Sequence, residues 1–477
     1  MANKNLSNAK NAKNDEFYTQ LNDIQAEVNA YIDYDPDVFR GKTILLPCDD
    51  PEWSNFTRFF AQNFERFGLK KLISTSYAAA SKNISAAKNA KGTKGKKDVS
   101  WYQPSLFEQE SPQYDEKKTA VKGKIFVLDH DTNANGKIDF EDLEWEYLEG
   151  DGDFRSEEVC KLRDEADMIV TNPPFSLFRE FLAWIMGDGL AASAAAKALA
   201  DKKNAKGAKK FLIIGNMNAV SYTEIFPLIK SNKVWLGATG FANDMVFAVP
   251  KGTIVSPHDK AKAERLGYVG DYTRLGNSCW FTNLEHGRRH MPLKLMTEAD
   301  NIKFSRHKDI RGKGYVKYEN YPAIEVPYTD AIPADHDGVM AVPRSFLDKY
   351  CPEQFEIVGI AEGESGKELG LKAVPKELKR LNRSLRDGQL YYMRNGFPEK
   401  PFARILIRAR RPKELSAHFA SLRLCVKTQS DLHVLHVLHG KTLGTKSCQS
   451  CKSCLKQKKK RKTSANENNS SDRPDSR

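Results

Sequence analysis

The chain has 477 residues, 40% of them hydrophobic, enough for two or three domains with cores of their own. No apolar run reaches the ~18 residues that a membrane helix needs, and the lysine-bearing start has no apolar stretch of a secretory signal, so the expectation is a cytoplasmic protein outside the membrane. The net charge of +13 is concentrated at one end: residues 411–477 hold 15 basic against 5 acidic side chains, a surplus of ten that leaves only +3 for the first 410. Bulk charge therefore does not identify a polyanion-binding body. Cys48, Cys160, Cys279 and Cys351 sit at no disulfide or metal spacing, as expected of reduced thiols.

Taken along the chain, short apolar runs predict strands at 42–47 and 71–77, the first ending in Cys48-Asp49-Asp50-Pro51. An Ala/Lys/Asn/Gly-rich insert follows at 78–97. After a strand-like 124–128, Asp131, Asn133, Asn135, Asp139 and Asp142, with Gly136 between, follow calcium-loop spacing. The last of these is Asp rather than the bidentate Glu and no second loop pairs with it, so a turn held by its own side-chain hydrogen bonds is the stronger expectation. Next come an acidic-aromatic pair, Asp153-Phe154, a buried-type strand at 167–171, then Asn172-Pro173-Pro174-Phe175 and a helical pattern from 178. A second Ala/Lys-rich insert at 190–210 precedes strands at 211–216, 233–236, 244–249 and 279–282. This alternation predicts an α/β fold with a doubly wound sheet and an edge hairpin. Residues 291–410 lose the rhythm. Within them, 376–383 is strongly basic, equally a DNA-facing stretch or a solvated helix face, and 391–396, Tyr-Tyr-Met-Arg-Asn-Gly, reads either as a DNA contact or, with two tyrosines beside a glycine, as a packed hairpin.

Asn172-Pro173-Pro174-Phe175 carries the most chemistry. A strand that ends in a polar residue and two prolines sets an amide and a carbonyl at the carboxyl edge of a sheet, where open α/β sheets bind ligands. The Asn172 side-chain oxygen and the Pro173 carbonyl each accept an N–H, which frees the lone pair of an exocyclic amino group, and neither proline supplies a competing donor. Phe175 can stack on a planar ring, a contact worth ~1–3 kcal/mol per base. Asn is no general base, so the chemistry is one that needs no prior proton abstraction, such as methyl transfer from a sulfonium.

These residues, with Asp15-Glu16-Phe17-Tyr18-Thr19-Gln20, Cys48-Asp49-Asp50-Pro51 before Ser54-Asn55-Phe56, Gly150 to Ser156 and Phe402 to Arg408, resemble the EcoRI-type adenine-specific DNA methyltransferases. The likeness spans about 14–408 and is specific in combination. It implies a Rossmann-like methyltransferase sheet in a catalytic domain over 1–290 and an α+β target-recognition region over 291–410; beyond the likeness, the composition of 411–477 reads as a disordered basic low-complexity tail. The likeness implies S-adenosylmethionine as cofactor, double-stranded DNA as partner, and direct methyl transfer to the amino group of a flipped adenine in restriction-modification or orphan modification, with a cognate restriction endonuclease as further partner. Asn172, Pro173, Pro174 and Phe175 would hold the base. Tyr18 and Thr19 would meet the methionine end of the cofactor, the Cys48 to Pro51 turn would carry Asp49 and Asp50 to its ammonium or ribose, and Asp153 and Phe154 would hold its adenine. Two departures stand out: the first turn is Cys-Asp-Asp-Pro rather than glycine-rich, and the second strand lacks the terminal acid that binds ribose in such folds, leaving that contact unassigned.

Other readings stay open on the residues alone. The same grip suits a guanine amino group in RNA or a glutamine amide in protein, and a non-catalytic nucleic-acid or calcium-binding module would explain the basic tail. In that tail Cys425, Cys448, Cys451 and Cys454, with His433, His436 and His439, are sufficient soft ligands for zinc but lack finger spacing.

Overall fold

The computed structural model describes residues 18–49, 54–78, 113–187, 209–240, 245–249 and 255–410. Asp50, Pro51, most of both Ala/Lys-rich inserts and the whole Cys/His tail lie outside the described residues.

The strands, in chain order, are β1 Tyr18–Thr19, β2 Thr43–Leu46, β3 Lys71–Ser76, β4 Lys124–Leu128, β5 Glu144–Tyr147, β6 Met168–Thr171, β7 Lys210–Asn216, β8 Trp235–Leu236, β9 Val246–Ala248, β10 Tyr272–Arg274, β11 Ser278–Thr282, β12 Ala323–Glu325, β13 Val339–Pro343, β14 Phe355–Ala361, β15 Tyr392–Arg394, β16 Phe397–Glu399 and β17 Arg404–Ala409. The main sheet has the order β5-β4-β3-β2-β6-β7-β11-β8. Its centre, β3-β2-β6-β7, is parallel, β4 and β5 form an antiparallel edge pair, and β11 lies antiparallel between β7 and β8.

Why these runs are apolar throughout follows from burial on both faces. Leu45, Ile73, Ile169, Phe211 and Ile213 point to one core, beneath the helices Glu157–Glu165, Phe178–Met186 and Phe226–Lys230. The alternate residues Ile44, Leu46, Leu72, Met168, Val170, Leu212 and Ile214 point to the other, beneath Leu21–Tyr34, Asn55–Gln62 and Phe64–Phe67. Helices cover both faces, so the sheet is doubly wound, as the sequence pattern predicts.

One element departs from that pattern. The strand expected at 244–249 leaves the main sheet, and β9 instead pairs with β1 and β10 in a sheet of three. The preceding loop, Gly237–Gly240, is held by a buried carboxylate on the first helix. Glu27 accepts from Ala238 N at 2.7 Å, Thr239 N at 2.8 Å, Thr239 Oγ1 at 2.7 Å and Tyr31 Oη at 2.7 Å. Burial pushes its pKa up, against the pull of the four hydrogen bonds.

Residues 323–409 build a second sheet, β12-β13-β17-β14, whose inner residues Met340, Ile357, Ile405 and Ile407 continue the first core. A buried pair spans it: Arg404 grips Glu325 through Nε at 3.0 Å and Nη2 at 2.5 Å, and Tyr318 Oη donates to the same carboxylate. The tyrosine-rich 391–396 segment is a hairpin, β15–β16, with Asn395 and Gly396 at φ 50° and 77°, as a two-residue mirror-image turn requires. Tyr391 and Tyr392 are buried in it.

His290 links the two parts. Its ring stacks on Tyr34 at 5.7 Å and bonds Glu353 at 2.8 Å and Glu285 at 3.0 Å. Burial alone would lower its pKa, but the two carboxylates outweigh it and raise it from 6.5 to about 9. A folded-state pKa above the unfolded one means the stabilisation is complete below pH 6.5 and is lost as pH climbs through 9. Chemical denaturation between pH 6 and 10 is expected to show a falling stability of up to ~1.4 kcal/mol per pH unit from this group. His290→Gln should remove that component of the slope.

Candidate functional site

The chain enters the sheet at β2 and steps outward to β3 on one side, while β6 and β7 step outward on the other. The crevice between the carboxyl ends of β2 and β6 is therefore a topological switch point. Asp49 follows β2 and Asn172 follows β6, so both fall at this crevice.

Asp49 ties the two strands together. It is buried, accepting from Thr171 Oγ1, the last residue of β6, at 2.5 Å and from Ser54 Oγ at 2.6 Å. Its amide donates to Thr75 O at 3.0 Å, and its carbonyl accepts from Ser74 Oγ on β3 and from Thr57 Oγ1 at 3.2 Å. Three parallel strands and one helix thus converge on one aspartate. Ser54 also caps that helix, accepting from Phe56 N at 3.1 Å. This explains how a turn without glycines serves here: side-chain oxygens, rather than a close backbone approach, set its shape.

The amino-terminal pair arrives from the other side. Asn55 Nδ2 donates to Thr19 O at 2.7 Å, and β1 lies in register with β9, Tyr18 opposite Ala248 and Thr19 opposite Phe247. Phe247 meets the Phe175 ring edge-on at 6.5 Å. Tyr18-Thr19, Asp49 and Asn172-Pro173-Pro174-Phe175 are therefore gathered at one edge from three distant stretches of chain. Pro173 and Phe175 are buried, Asn172 and Pro174 half-buried. Thr19 Oγ1 is buried with no hydrogen-bond partner among the described residues, an acceptor and donor left for a polar ligand. Cys48 is half-buried and forms no disulfide among the described residues.

The Asp153-Phe154 loop docks beside the same edge. Gly152, at φ 80°, packs so tightly on Ser76 that a β-carbon there would collide with the Ser76 carbonyl, and Ala78 N donates to Asp151 O at 2.8 Å. An acid-bearing loop thus occupies the end of β3, where the strand itself has no acid. Asp153 is held by Arg155, Nε to Oδ1 at 2.9 Å and Nη2 to Oδ2 at 2.6 Å. Burial would raise its pKa, yet these bonds bring it below the ordinary carboxylate value. Arg155 also reaches Glu180 at 3.0 Å, on the helix that follows Phe175. Phe154, offered by the sequence as a ring for the cofactor, lies in the core here, its ring against Phe181 at 5.0 Å and Trp184 at 5.6 Å.

Three positions were not assigned roles from sequence: Thr171, Arg155 and Phe247. Thr171 had a signal, a polar β-branched residue closing an otherwise apolar strand. Phe247 had none, because its partner Phe175 is remote in sequence, and for Arg155 the neighbouring Asp153 was visible but the remote Glu180 was not.

The Asp131 loop folds on its own hydrogen bonds. Asp131 accepts from Gly136 N at 2.8 Å, Asn133 from Asn135 N at 3.0 Å, Asn135 from Lys137 N at 2.8 Å and Asp139 from Glu141 N at 2.9 Å. Asp142, the twelfth position, is turned inward onto Thr132 N, Asn133 N and Asp139 N. Among the described residues no group of three carboxylate, His or Cys side chains could hold a metal. Adding millimolar calcium should accordingly leave the melting temperature unchanged; a rise saturating with calcium would overturn the self-bonded turn. Nor is any described helix long and apolar enough to cross a membrane.

A doubly wound sheet with an antiparallel strand slipped in beside its last parallel one, and an Asn-Pro-Pro-Phe turn at the switch point, defines a Rossmann-like methyltransferase. The family profile described as "Adenine-specific methyltransferase EcoRI" matches residues 5–190 and 202–410. The chain belongs to this EcoRI adenine-specific methyltransferase family. It is 35% identical over 370 residues to the Type II methyltransferase M.EcoRI of Escherichia coli, covering 77% of this chain and 93% of that one. It is 30% identical over 354 residues to Type II methyltransferase M.MpnI of Mycoplasma pneumoniae (74% and 84% covered). For Type II methyltransferase M.MgeORF184P of Mycoplasma genitalium the identity is 31% over 354 residues (74% and 85%). No solved structure gives a significant match. The unmatched stretches, 191–201 and beyond 410, coincide with the second insert and the tail.

Proposed function

We propose that the protein is a site-specific DNA adenine-N6 methyltransferase acting on a base flipped out of the duplex. The observation that carries this reading is the convergence of Tyr18-Thr19, Asp49 and Asn172 to Phe175 at one switch point, stapled by the Asp49–Thr171 hydrogen bond. Asn172 Oδ1 and the Pro173 carbonyl accept the two amino hydrogens of the adenine, Pro174 stiffens the turn, and Phe175, backed by Phe247, supplies the stacking ring.

A sulfonium cofactor fits the edge beside them. The buried Thr19 hydroxyl, without a hydrogen-bond partner among the described residues, offers a polar contact there. When bound, S-adenosylmethionine supplies an electrophilic methyl group. Tyr18 and Thr19 would hold its amino-acid end, with Cys48 and Asp49 walling the crevice. Asp49, accepting from Ser54 and Thr171, also fixes the shape of the crevice. Asp153, ionised and steadied by Arg155, would accept the cofactor's adenine amino hydrogens, and Phe154 braces the loop from the core. Residues 291–410 would supply target recognition, and a cognate restriction endonuclease acting on the same sequence is the partner that such an activity implies.

Labelled cofactor incubated with the full chain and DNA, RNA or protein tests the reading. Label should appear in DNA as N6-methyladenine; label in RNA or protein alone would replace the acceptor, and none in any acceptor would remove the activity.

A further inference from the structure

The second sheet carries a basic, aromatic-tipped surface that the catalytic site does not use. Arg344, just past β13, donates to Ser221 Oγ at 2.8 Å, and Ser221 closes the short turn Met217–Ser221 that follows the carboxyl end of β7. Its neighbour Tyr222 lies under the Arg179 guanidinium, 4.0 Å from the ring centre, on the helix that follows Phe175. These contacts anchor one end of the second sheet close to the edge that bears Asn172. At that same end, Pro343 is in register with Arg404 of β17, and Arg404 with Ala361 of β14. The segment between β14 and β17 therefore projects from the end tethered beside the catalytic edge.

On this projection the helix Lys376–Leu381 packs along β16, with Asn382 Nδ2 donating to Pro398 O at 2.9 Å, so Arg380 and Arg383 flank the hairpin that carries Arg394 and Phe397. All three arginines are exposed, Arg394 sharing its charge with Glu399 at 3.4 Å. Phe397 is 46% exposed and Phe402 88%. Phe402 is not on a loose loop: its carbonyl accepts from Arg404 Nη1 at 3.4 Å, and Arg404 is fixed in the buried pair with Glu325.

We propose that this face docks on duplex DNA beside the flipped base, with Arg380, Arg383 and Arg394 on phosphates and Phe397 and Phe402 against the groove or an unstacked base step. The inference rests on the DNA methyltransferase reading above. Cations positioned by a rigid scaffold next to exposed aromatic rings are the combination that binds a backbone and wedges bases.

Binding of the full chain to a generic duplex, followed by fluorescence anisotropy across a salt series, reads the arginines. Arg383→Ala with Arg394→Ala should lower the slope of log affinity against log salt by about two. Methylation of unmodified chromosomal DNA reads the ring: Phe402→Ala should raise KM for DNA about tenfold, Phe402→Trp should restore it, and cofactor affinity and melting temperature should stay unchanged. If the unsubstituted protein methylates DNA while these variants match it, or lose binding only along with thermal stability, the docking face is wrong and the activity stands. If the same substitutions abolish binding of a protein partner and leave DNA binding intact, the face belongs to that partner. Failure of the unsubstituted protein to methylate DNA removes both readings.

Discussion

Asn172→Ala is expected to lower methyl transfer to DNA by about 100-fold or more while leaving the fold and cofactor affinity intact. The size follows from what the side chain does. An amino nitrogen conjugated with a purine ring is a poor nucleophile, and the grip works by holding both N–H bonds away from the ring plane at hydrogen-bond distance. Removing one of two acceptors lets the group rotate back into conjugation and drift, and small misplacements of a reacting atom cost about two orders of magnitude. Stability should change little, since Asn172 is half-buried at the end of a strand whose core contacts are made by Met168, Ile169 and Val170. Asn172→Asp is the sharper partner experiment: it keeps the shape and an acceptor but adds charge, so partial activity is expected, rising where the carboxyl group is protonated. Single-turnover rates with saturating cofactor check both. A variant that keeps the normal rate would detach Asn172 from the chemistry, whatever else the site does.

How much of this was legible in the sequence differs between strands and their partners. The central strands announced themselves because a parallel sheet buried on both faces needs uninterrupted apolar runs, and Ile44 to Leu46, Met168 to Val170 and Phe211 to Ile214 supply them. Asn172 was legible because two prolines after a strand leave few alternatives to a sheet-edge turn. The hairpin at Asn395-Gly396 was legible because both positions need a positive φ that few residue pairs tolerate. The pairing of β9 with β1 was not, since β1 is two residues long, and neither was the role of Glu27, a charged residue on a helix that holds the Gly237–Gly240 loop. Helical spacing sets Glu27 between Ile24, Val28 and Tyr31, but nothing local distinguishes a buried carboxylate from one at the rim of an apolar stripe. The same limit applied to Asp49. Its motif marked a turn, and only the fold revealed that its carboxylate accepts from Ser54 and Thr171.

That arrangement makes Thr171→Val the second large effect, and one that separates scaffold from chemistry. Valine matches threonine in shape and suits a strand, so packing is preserved and only the hydroxyl is lost. The Asp49 carboxylate then keeps Ser54 but loses its shortest side-chain contact in a site with almost no access to water. Hydrogen bonds to a charged group contribute about 1.5–3 kcal/mol, and a buried oxygen left unmade costs the desolvation besides. Denaturant unfolding should therefore show a loss of about 2–3 kcal/mol at neutral pH. Activity should fall with it even where the protein is fully folded, because the bond spans the crevice between the turn after β2 and the strand that delivers Asn172. The control is Asp49→Asn with Thr171→Val: removing the charge and the hydroxyl together should recover part of the stability lost by Thr171→Val alone. Additive losses would mean that the two residues do not act as one clamp, and the switch point would then be held by strand pairing alone.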